Sequence, residues 1–312
     1  METHIVEITE NTQTYRLARY KSEEDVPRPE SYYEDVTVAE EFPENERAKI
    51  YQEIRGACES GWDFSSRWFA DPNGSQGLGT LVTSSIIPVD LNSLLCRNAA
   101  TLAAMYKLLG DNENATHYEE LHEEFRNAIE NLLWDEEQGT WFDYDLESKS
   151  RRPSFYLSMA FPLWTDCVVD PASKMNRSLQ YLQLNDSVLN SPGGVPISLN
   201  PTGQQWDYPN AWAPAVLVLI EALEGGNDTA ADVAEKLAQV WVRTIYTAYQ
   251  NYEALFEKYN VTELGAIGSG GEYSVQEGFG WTNGVLLSLF QQYGETLSPD
   301  SENGGSGGSV ST

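Results

Sequence analysis

Cysteine, histidine and basic residues are scarce in this chain of 312 residues. Three cysteines, Cys58, Cys96 and Cys167, are too few and too scattered for a disulfide framework or a Cys-x-x-Cys metal site, and three histidines are too few for a His-rich zinc site. Only 19 Lys and Arg stand against 48 Asp and Glu, which gives a net charge of -29. Because so negative a surface repels phosphates and anionic lipid, nucleic-acid and membrane-surface roles are not expected.

Long apolar runs are also lacking. No run of 18 apolar residues occurs, so no membrane span is expected. The most apolar stretch, residues 211–223, is short and contains Pro214 and Glu221. Met1 is followed by polar residues without an apolar segment, so we expect no signal peptide at this start.

Aromatic residues are abundant, with nine Trp and 17 Tyr. Some of them belong in a core, because large aromatic side chains dominate burial. Several Trp, however, stand beside Gly, Asp and Asn in turn-like segments, which is the mixture that a site for flat sugar faces needs. The composition therefore predicts an acidic protein that binds a neutral, polyhydroxylated ligand.

Apolar periodicity predicts an all-α chain in which helices alternate with long loops. Residues 1–43 are expected to be extended chain and loop, and a helix should begin after Pro43 and end near Cys58. The predicted domain is 1–297, followed by a disordered Gly- and Ser-rich tail, 298–312. Further predicted elements are a helix with the stripe Leu91, Leu95, Leu102, Met105 and Leu109 that ends at Gly110, a second helix striped from Tyr118 to Leu132, a hairpin or loop over 138–154, and helices over 155–168, 171–184, 214–223, 229–250 and 281–293.

Four loops combine carboxylates with aromatic residues, and each has an ordinary structural alternative. An Arg-Pro-Glu segment is usually a surface ion pair, and Trp-Asp in a Gly-Ser loop is often a capping Asp beside an anchoring ring. Loops that all join helices can nevertheless meet at one end of a helical assembly. The four segments are 27–32, 59–68, 204–212 and 256–284.

Two carboxyl groups that face a sugar are what glycoside hydrolysis requires. One protonates the leaving oxygen, and the other activates water or attacks the sugar itself. Neighbouring aromatic rings exclude water from the acid and raise its pKa. The residues alone thus leave two possibilities open, a glycosidase and a sugar-binding protein.

Three motifs resemble those of the inverting α,α-trehalases, glycoside hydrolase family 37. Residues 205–214, Gln-Trp-Asp-Tyr-Pro-Asn-Ala-Trp-Ala-Pro, resemble the family's second signature, and 59–68 resemble its acid-bearing motif. Gly-Gly-Glu-Tyr at 270–273 with 278–285 resembles its glycine-rich motif. The resemblance extends over about 15–295 and implies an (α/α)6 toroid of the trehalase and glucoamylase type, with trehalose as substrate and no metal or cofactor. Another (α/α)6 glucosidase is disfavoured by the second signature.

The resemblance also implies roles for individual residues. Asp63 occupies the position of the general acid, and Glu257, in Phe-Glu-Lys-Tyr-Asn, occupies that of the general base. Glu272 is the alternative residue for holding the water. The implied substrate-binding residues are Arg28, Pro29, Glu30, Gly61, Trp206 and Glu272.

One motif of the family is missing. Its first signature, Pro-Gly-Gly-Arg-Phe, is absent, so the chain resembles the C-terminal part of a trehalase, with an incomplete toroid and glucose pocket. We expect either a trehalase whose present chain has little activity alone, or a truncated, catalytically inactive relative that retains sugar binding.

Six Asn-x-Ser/Thr sequons indicate a secretory ancestry and an extracellular or cell-surface parent family, unless they merely reflect frequent Asn and Ser. The sequons begin at Asn73, Asn114, Asn176, Asn185, Asn227 and Asn260.

Overall fold

The computed structural model describes residues 4–72, 77–184 and 186–298, and these residues are mostly helical. Of the predicted tail, only Ser298 lies within them, and the sequons at Asn73 and Asn185 lie outside them. The α-helices in the described ranges are α1 Tyr32–Glu40, α2 Glu44–Glu59, α3 Val89–Leu109, α4 Asn112–Ala128, α5 Phe161–Trp164, α6 Pro171–Leu184, α7 Asp186–Leu189, α8 Ala213–Glu224, α9 Asp228–Tyr252 and α10 Gly280–Tyr293. The strands are β1 Ile5–Glu10, β2 Gln13–Ala18, β3 Ile86–Ile87, β4 Trp134–Asp135, β5 Thr140–Trp141, β6 Tyr144–Asp145, β7 Ser150–Arg151, β8 Asn210–Trp212 and β9 Lys258–Asn260.

The predictions for α2, α3, α4, α6, α8, α9 and α10 are confirmed to within a few residues at each end. Helix α3 ends at Gly110, which has a φ of 76° and so provides the left-handed turn into α4. The Asn227 side chain accepts a hydrogen bond from the Ala230 amide and caps the start of α9. Helix α8 is apolar on nearly every side and is buried along most of its length, as predicted.

The prediction of extended chain and loop for 1–43 is wrong in two places. Strands β1 and β2 form an antiparallel hairpin around Asn11 and Thr12, both of which have positive φ, as a two-residue hairpin turn requires. Tyr15 and Leu17 of β2 are buried on one face of the hairpin, and Arg16 between them is exposed. So short an alternation gives little signal in the sequence. Helix α1 was also missed, because it buries only Asp35 and Ala39.

Two further expectations need correction. The predicted buried helix over 155–168 is a 3-10 turn followed by the single turn α5. The apolar stripe of α3 does not lie in the core, since Met105 is 54% exposed and Leu109 is 79% exposed. Small residues, among them Ala99 and Ala103, form the buried face instead, which allows α4 to pack closely.

Three cysteines are too few for a framework of several disulfide bonds, but one disulfide bond is present. Cys96 of α3 is bonded to Cys167, which follows α5, and their Cα atoms are 6.1 Å apart. Cys58 is a free thiol. The bond links two segments separated by 71 residues and therefore ties the α3–α4 pair to the region before α6.

The strands among the described residues are short and form sheets of only two or three strands. The ladder that matters for the site is β8 with β9, in which Asn210 pairs with Asn260 and Trp212 pairs with Lys258. It places the segment 204–212 directly beside the segment that begins at Phe256. Two loops that were only expected to converge are thus joined by backbone hydrogen bonds.

Candidate active site

The loop that carries Asp63 lies between α2 and the 3-10 turn Ser66–Trp68. Its backbone is tied to the 204–212 segment, because the Trp206 amide donates to the Phe64 carbonyl at 3.1 Å. The side-chain amide of Gln205 donates to the Asp63 carbonyl. The Asp63–Phe64 peptide bond is cis. Asp63 is therefore held by the same segment that pairs with β9.

A buried carboxylate next to this loop fixes its shape. Asp207 is fully buried and accepts hydrogen bonds from Ser65 Oγ at 2.9 Å, from the Ser66 amide at 2.7 Å and from Ser198 Oγ at 2.9 Å. Thr202 Oγ1 donates to Oδ2 at 2.5 Å, the oxygen that also accepts from the Ser66 amide. No local pattern singles out Asp207, although it lies within the 204–212 segment. Its role is to position the backbone that follows Asp63.

The surroundings of Asp63 favour its protonated form. Burial raises the pKa of this carboxyl above its usual range, and the negative charge of Glu272 raises it further. The positive charges of Arg28 and Lys258 oppose this shift. A carboxyl group that keeps its proton to a higher pH is suited to act as a general acid.

Glu257 is still more enclosed, with 1% of its surface exposed. Burial raises the pKa of its carboxyl, Lys258 lowers it, and the negative charge of Asp63 raises it. Lys258 Nζ lies 3.4 Å from Glu257 Oε1, which is longer than a usual charge-assisted hydrogen bond. Lys258 also donates to Gln205, whose side-chain amide donates to the Asp63 carbonyl, so contacts link the two predicted residues.

Arg28 is the most firmly held of the predicted sugar-binding residues. Its backbone amide and its guanidinium both donate to Asp35, with Nη2 2.6 Å from Oδ1, and Nη2 also lies 3.2 Å from Glu272 Oε1. Burial lowers the pKa of the guanidinium, but Asp35, Cys58 and Glu272 outweigh that effect and keep it charged. Asp35 gave no signal in the sequence, because it lies in a helix that periodicity did not reveal.

Three other predicted residues lie at the edge of this cluster. Pro29 and Glu30 are exposed, and Glu30 forms no hydrogen bond or ion pair with another described residue. Gly61 is exposed with a φ of 73°, and the space where a Cβ would stand is open. The structure therefore brings together Arg28, Asp63, Glu257 and Glu272, and leaves Pro29, Glu30 and Gly61 at the surface.

Trp206 is part of a stack of indole rings and not an open platform. Its ring lies 4.0 Å from that of Trp212 at an interplanar angle of 3°, and 5.3 Å from that of Trp62 at 19°. Trp281 meets Trp206 and Trp212 edge-on. Trp206 is 7% exposed and stacks on the rings of both Trp62 and Trp212, so little of its surface is open to a ligand. Through Trp62, the stack packs against the loop of Asp63.

A possible metal cluster lies elsewhere in the molecule. Among the described residues, the side chains of Cys96, His122 and Cys167 come close enough together to bind one ion, but the two sulfur atoms are bonded to each other. The candidate site itself contains carboxylates paired with Arg28 and Lys258. Its arrangement is suited to acid–base chemistry on a neutral substrate.

Known proteins resemble this chain over most of its length. A family model described as Trehalase matches residues 1–294. The trehalase of Oryctolagus cuniculus is 43% identical over 298 residues, which is 95% of this chain and 51% of that protein. The periplasmic trehalase of Citrobacter koseri is 42% identical over 276 residues, 88% of this chain and 46% of that protein.

A solved structure shows the same fold. The neutral trehalase of Saccharomyces cerevisiae matches with a TM-score of 0.65 and 21% identity, over 88% of this chain and 52% of that chain. The chain spans about half the length of the curated relatives it matches.

Proposed function

The chain belongs to the trehalase family, and from this premise we propose that it supplies the acid–base pair that hydrolyses α,α-trehalose to two glucose molecules with inversion. The proposed reaction uses no metal or cofactor. The observation that carries it is the pair formed by the half-buried Asp63 and the buried Glu257, joined by contacts through Gln205 and Lys258.

In the proposed reaction, Asp63 donates its proton to the glycosidic oxygen while Glu257 removes a proton from a water molecule. The oxygen of that water attacks the anomeric carbon from the face opposite the leaving group. The bond between the anomeric carbon and the glycosidic oxygen breaks, and its electron pair remains on that oxygen, which leaves as the hydroxyl of the second glucose. The attacked glucose is released in the β configuration and the leaving glucose keeps the α configuration. Inversion needs about 6.5–9.5 Å between the two carboxyl groups, enough for the water.

We assign substrate binding to Arg28, which is oriented by Asp35, and to Glu272, which shares the guanidinium. Pro29, Glu30 and Gly61 lie at the rim, where they can meet sugar hydroxyls, and Trp206 contributes its edge. The fixed guanidinium supports this assignment, since its contacts with Asp35, Cys58 and Glu272 leave the remaining N–H of Nη1 in a defined direction.

The helix pairs support a toroid. We propose that α3 with α4, and α8 with α9, are successive hairpins of an (α/α)6 toroid, and that 1–297 is a single catalytic domain. Short connections join the two helices of each pair, and each pair packs along its length, as helical hairpins do.

The location that we propose is outside the cytosol. The Cys96–Cys167 disulfide favours an oxidising compartment, and the sequon residues Asn114, Asn176 and Asn227 are exposed. Within the described residues, no helix is both long and apolar enough to cross a membrane.

A second candidate function is sugar binding without turnover. The observation that favours it is the cluster of Arg28, Asp35 and Glu272, which can hold sugar hydroxyls whether or not a reaction follows. Catalysis depends on holding the whole substrate in place, and a misplacement of about 1 Å costs on the order of 100-fold in rate.

Glucose release from trehalose by the purified chain distinguishes the two candidates, with the Asp63→Asn chain as the blank. Proton NMR of the first turnovers should show equal amounts of α- and β-glucose before mutarotation. Two α-glucose molecules would indicate retention and contradict the mechanism. Trehalose binding without glucose release would favour the second candidate.

A further inference from the structure

Lys258 stands out because it is a fully buried cation between the two candidate catalytic carboxyls. It is 0% exposed and directly follows Glu257 on β9. A buried ammonium is unfavourable unless it is paired and hydrogen-bonded. The contacts that Lys258 makes therefore indicate what holds it there.

The ammonium group has three oxygen neighbours. Nζ donates to Gln205 Oε1 at 2.6 Å and to the Gly270 carbonyl at 3.0 Å, and it lies 3.4 Å from Glu257 Oε1. The rings of Trp212 and Tyr273 lie 5.3 and 5.5 Å away. The two shorter contacts fix the position of the charge, and the longer one directs it at Glu257.

Gln205 extends this arrangement to the acid. Its side chain accepts from Lys258 and donates to the backbone carbonyl of Asp63. Gln205 is 2% exposed, so neither contact competes with bulk water. A single buried amide thus connects Lys258, the first residue of β9, with the loop of Asp63.

We propose that Lys258 is a positioning residue that keeps Glu257 in its ionised form and, through Gln205, sets the distance between Glu257 and the Asp63 loop. This inference rests on the proposed function, because it takes Glu257 as the base. It adds to that function a residue that acts through Glu257 and Gln205 and is assigned no contact with the substrate.

The charged and titratable groups around Lys258 determine the direction of the effect. Burial lowers the pKa of Lys258, and the negative charges of Glu257 and Asp63 oppose this change. The ring of Tyr273 lies 5.5 Å from Nζ, and Arg28 and Glu272 act on Asp63. Removing the positive charge of Lys258 raises the pKa of both carboxyls. The larger change falls on Glu257, for which Lys258 is the main opposing influence.

The test is a direct titration of the Glu257 carboxyl by carbon NMR in the full chain labelled at the Glu side-chain carboxyl carbon. The signal is assigned by its loss in Glu257→Gln. Lys258→Met and Lys258→Gln should each raise the pKa of Glu257 by about 1–3 units, the usual effect of an opposite charge at this range. Lys258→Arg keeps the charge and should stay within about one unit of the parent. Two neutral variants are used so that the titration can still be carried out on one of them if the other folds poorly.

The matched control is Lys174→Met. Lys174 is also a buried lysine, and its Nζ lies 2.7 Å from Glu130 Oε1, but α6 carries it away from the site. This variant should lose stability and leave the pKa of Glu257 unchanged. If a folded Lys258→Met or Lys258→Gln chain titrates like the parent, the inference is overturned.

A kinetic measurement separates this inference from the function on which it rests. In the parent, the acidic limb of the kcat/KM profile reports the ionisation of the base, and it should move upward in the neutral variants by the same amount as the NMR pKa. If the parent releases no glucose at any pH, the proposed function fails, and the NMR titration still decides the role of Lys258.

Discussion

Gln205 Oε1 accepts a hydrogen bond from Lys258 Nζ at 2.6 Å, and this contact connects two loops that are more than 50 residues apart in the chain. On one side of it lies the backbone of Asp63, and on the other lies the carboxylate of Glu257. The acid and the base that we propose are thus positioned relative to each other by buried side chains of the protein.

Asp63→Asn should abolish most of the hydrolysis of trehalose while leaving trehalose binding intact. The amide keeps the shape of the carboxyl but has no proton to transfer, and such acid–base contributions are worth about 100- to 10,000-fold. Glucose release gives the rate, and calorimetry gives the binding. Asp232→Asn, at an exposed position of α9, is the control. An Asp63→Asn chain that keeps more than about half of the parent kcat would disprove the assignment of Asp63 as the general acid.

Glu257→Gln should make the folded chain more resistant to heat at neutral pH. Burial raises the pKa of Glu257, so the folded chain binds this proton more tightly than the unfolded chain does. The free energy of unfolding therefore falls as the pH rises from the ordinary Glu range through the raised pKa. The amide removes this loss, so Tm should exceed that of the parent near pH 7 and match it near pH 4. Calorimetry at both values checks this, with exposed Glu120→Gln as the control. The prediction would be contradicted if the difference in Tm between Glu257→Gln and the parent were the same at both pH values.

Asp35→Asn should lower kcat/KM for trehalose by at least about tenfold, although Asp35 is buried behind Arg28. The amide cannot accept both guanidinium hydrogen bonds as a carboxylate does, so Arg28 is left free to turn toward Glu272. Steady-state kinetics of glucose release measures the effect. Asp25→Asn in the exposed segment before Arg28 is the matched change. An unaltered kcat/KM in a folded Asp35→Asn chain would show that Arg28 does not need this partner.

Cys96→Ser should lower the free energy of unfolding by roughly 2–4 kcal/mol, because the bond to Cys167 closes a long loop and so restricts the unfolded chain. Urea denaturation measures this difference. The double variant Cys96→Ser/Cys167→Ser should lose about as much as the single one, since either change removes the same bond. A parent chain whose stability does not respond to a reducing agent would contradict the expectation.

The long helices could be predicted because each has a continuous apolar face. The hairpin of β1 and β2 could not, because it buries few of its residues, among them Ile8, Tyr15 and Leu17, and so short an alternation does not mark a strand. The exposure of Met105 and Leu109 was equally hidden, since periodicity shows that a helix has an apolar face and not which neighbour covers it.

The residues of the candidate site likewise include some that the sequence could predict and some that it could not. Asp63 and Glu257 were accessible through motifs, because the residue type itself carries the proposed chemistry. Asp207 and Lys258 act through contacts with residues distant in sequence, and Asp35 lies in a helix that buries only two of its residues, so no local pattern marks them. Trp206 was expected to bind substrate, and only the structure reveals that its ring is stacked on those of Trp62 and Trp212.

The β8–β9 ladder has a consequence for protein engineering. Trp212 and Lys258 are paired neighbours, yet the chain between them makes a long excursion through α8 and α9. The turn of that excursion, at Gly225 and Gly226, is exposed, and exposed turns accept inserted sequence most readily. A fluorescent or affinity module inserted after Gly225 would therefore sit at the end of the hairpin and leave the register of the ladder, and with it the placement of Glu257, unchanged.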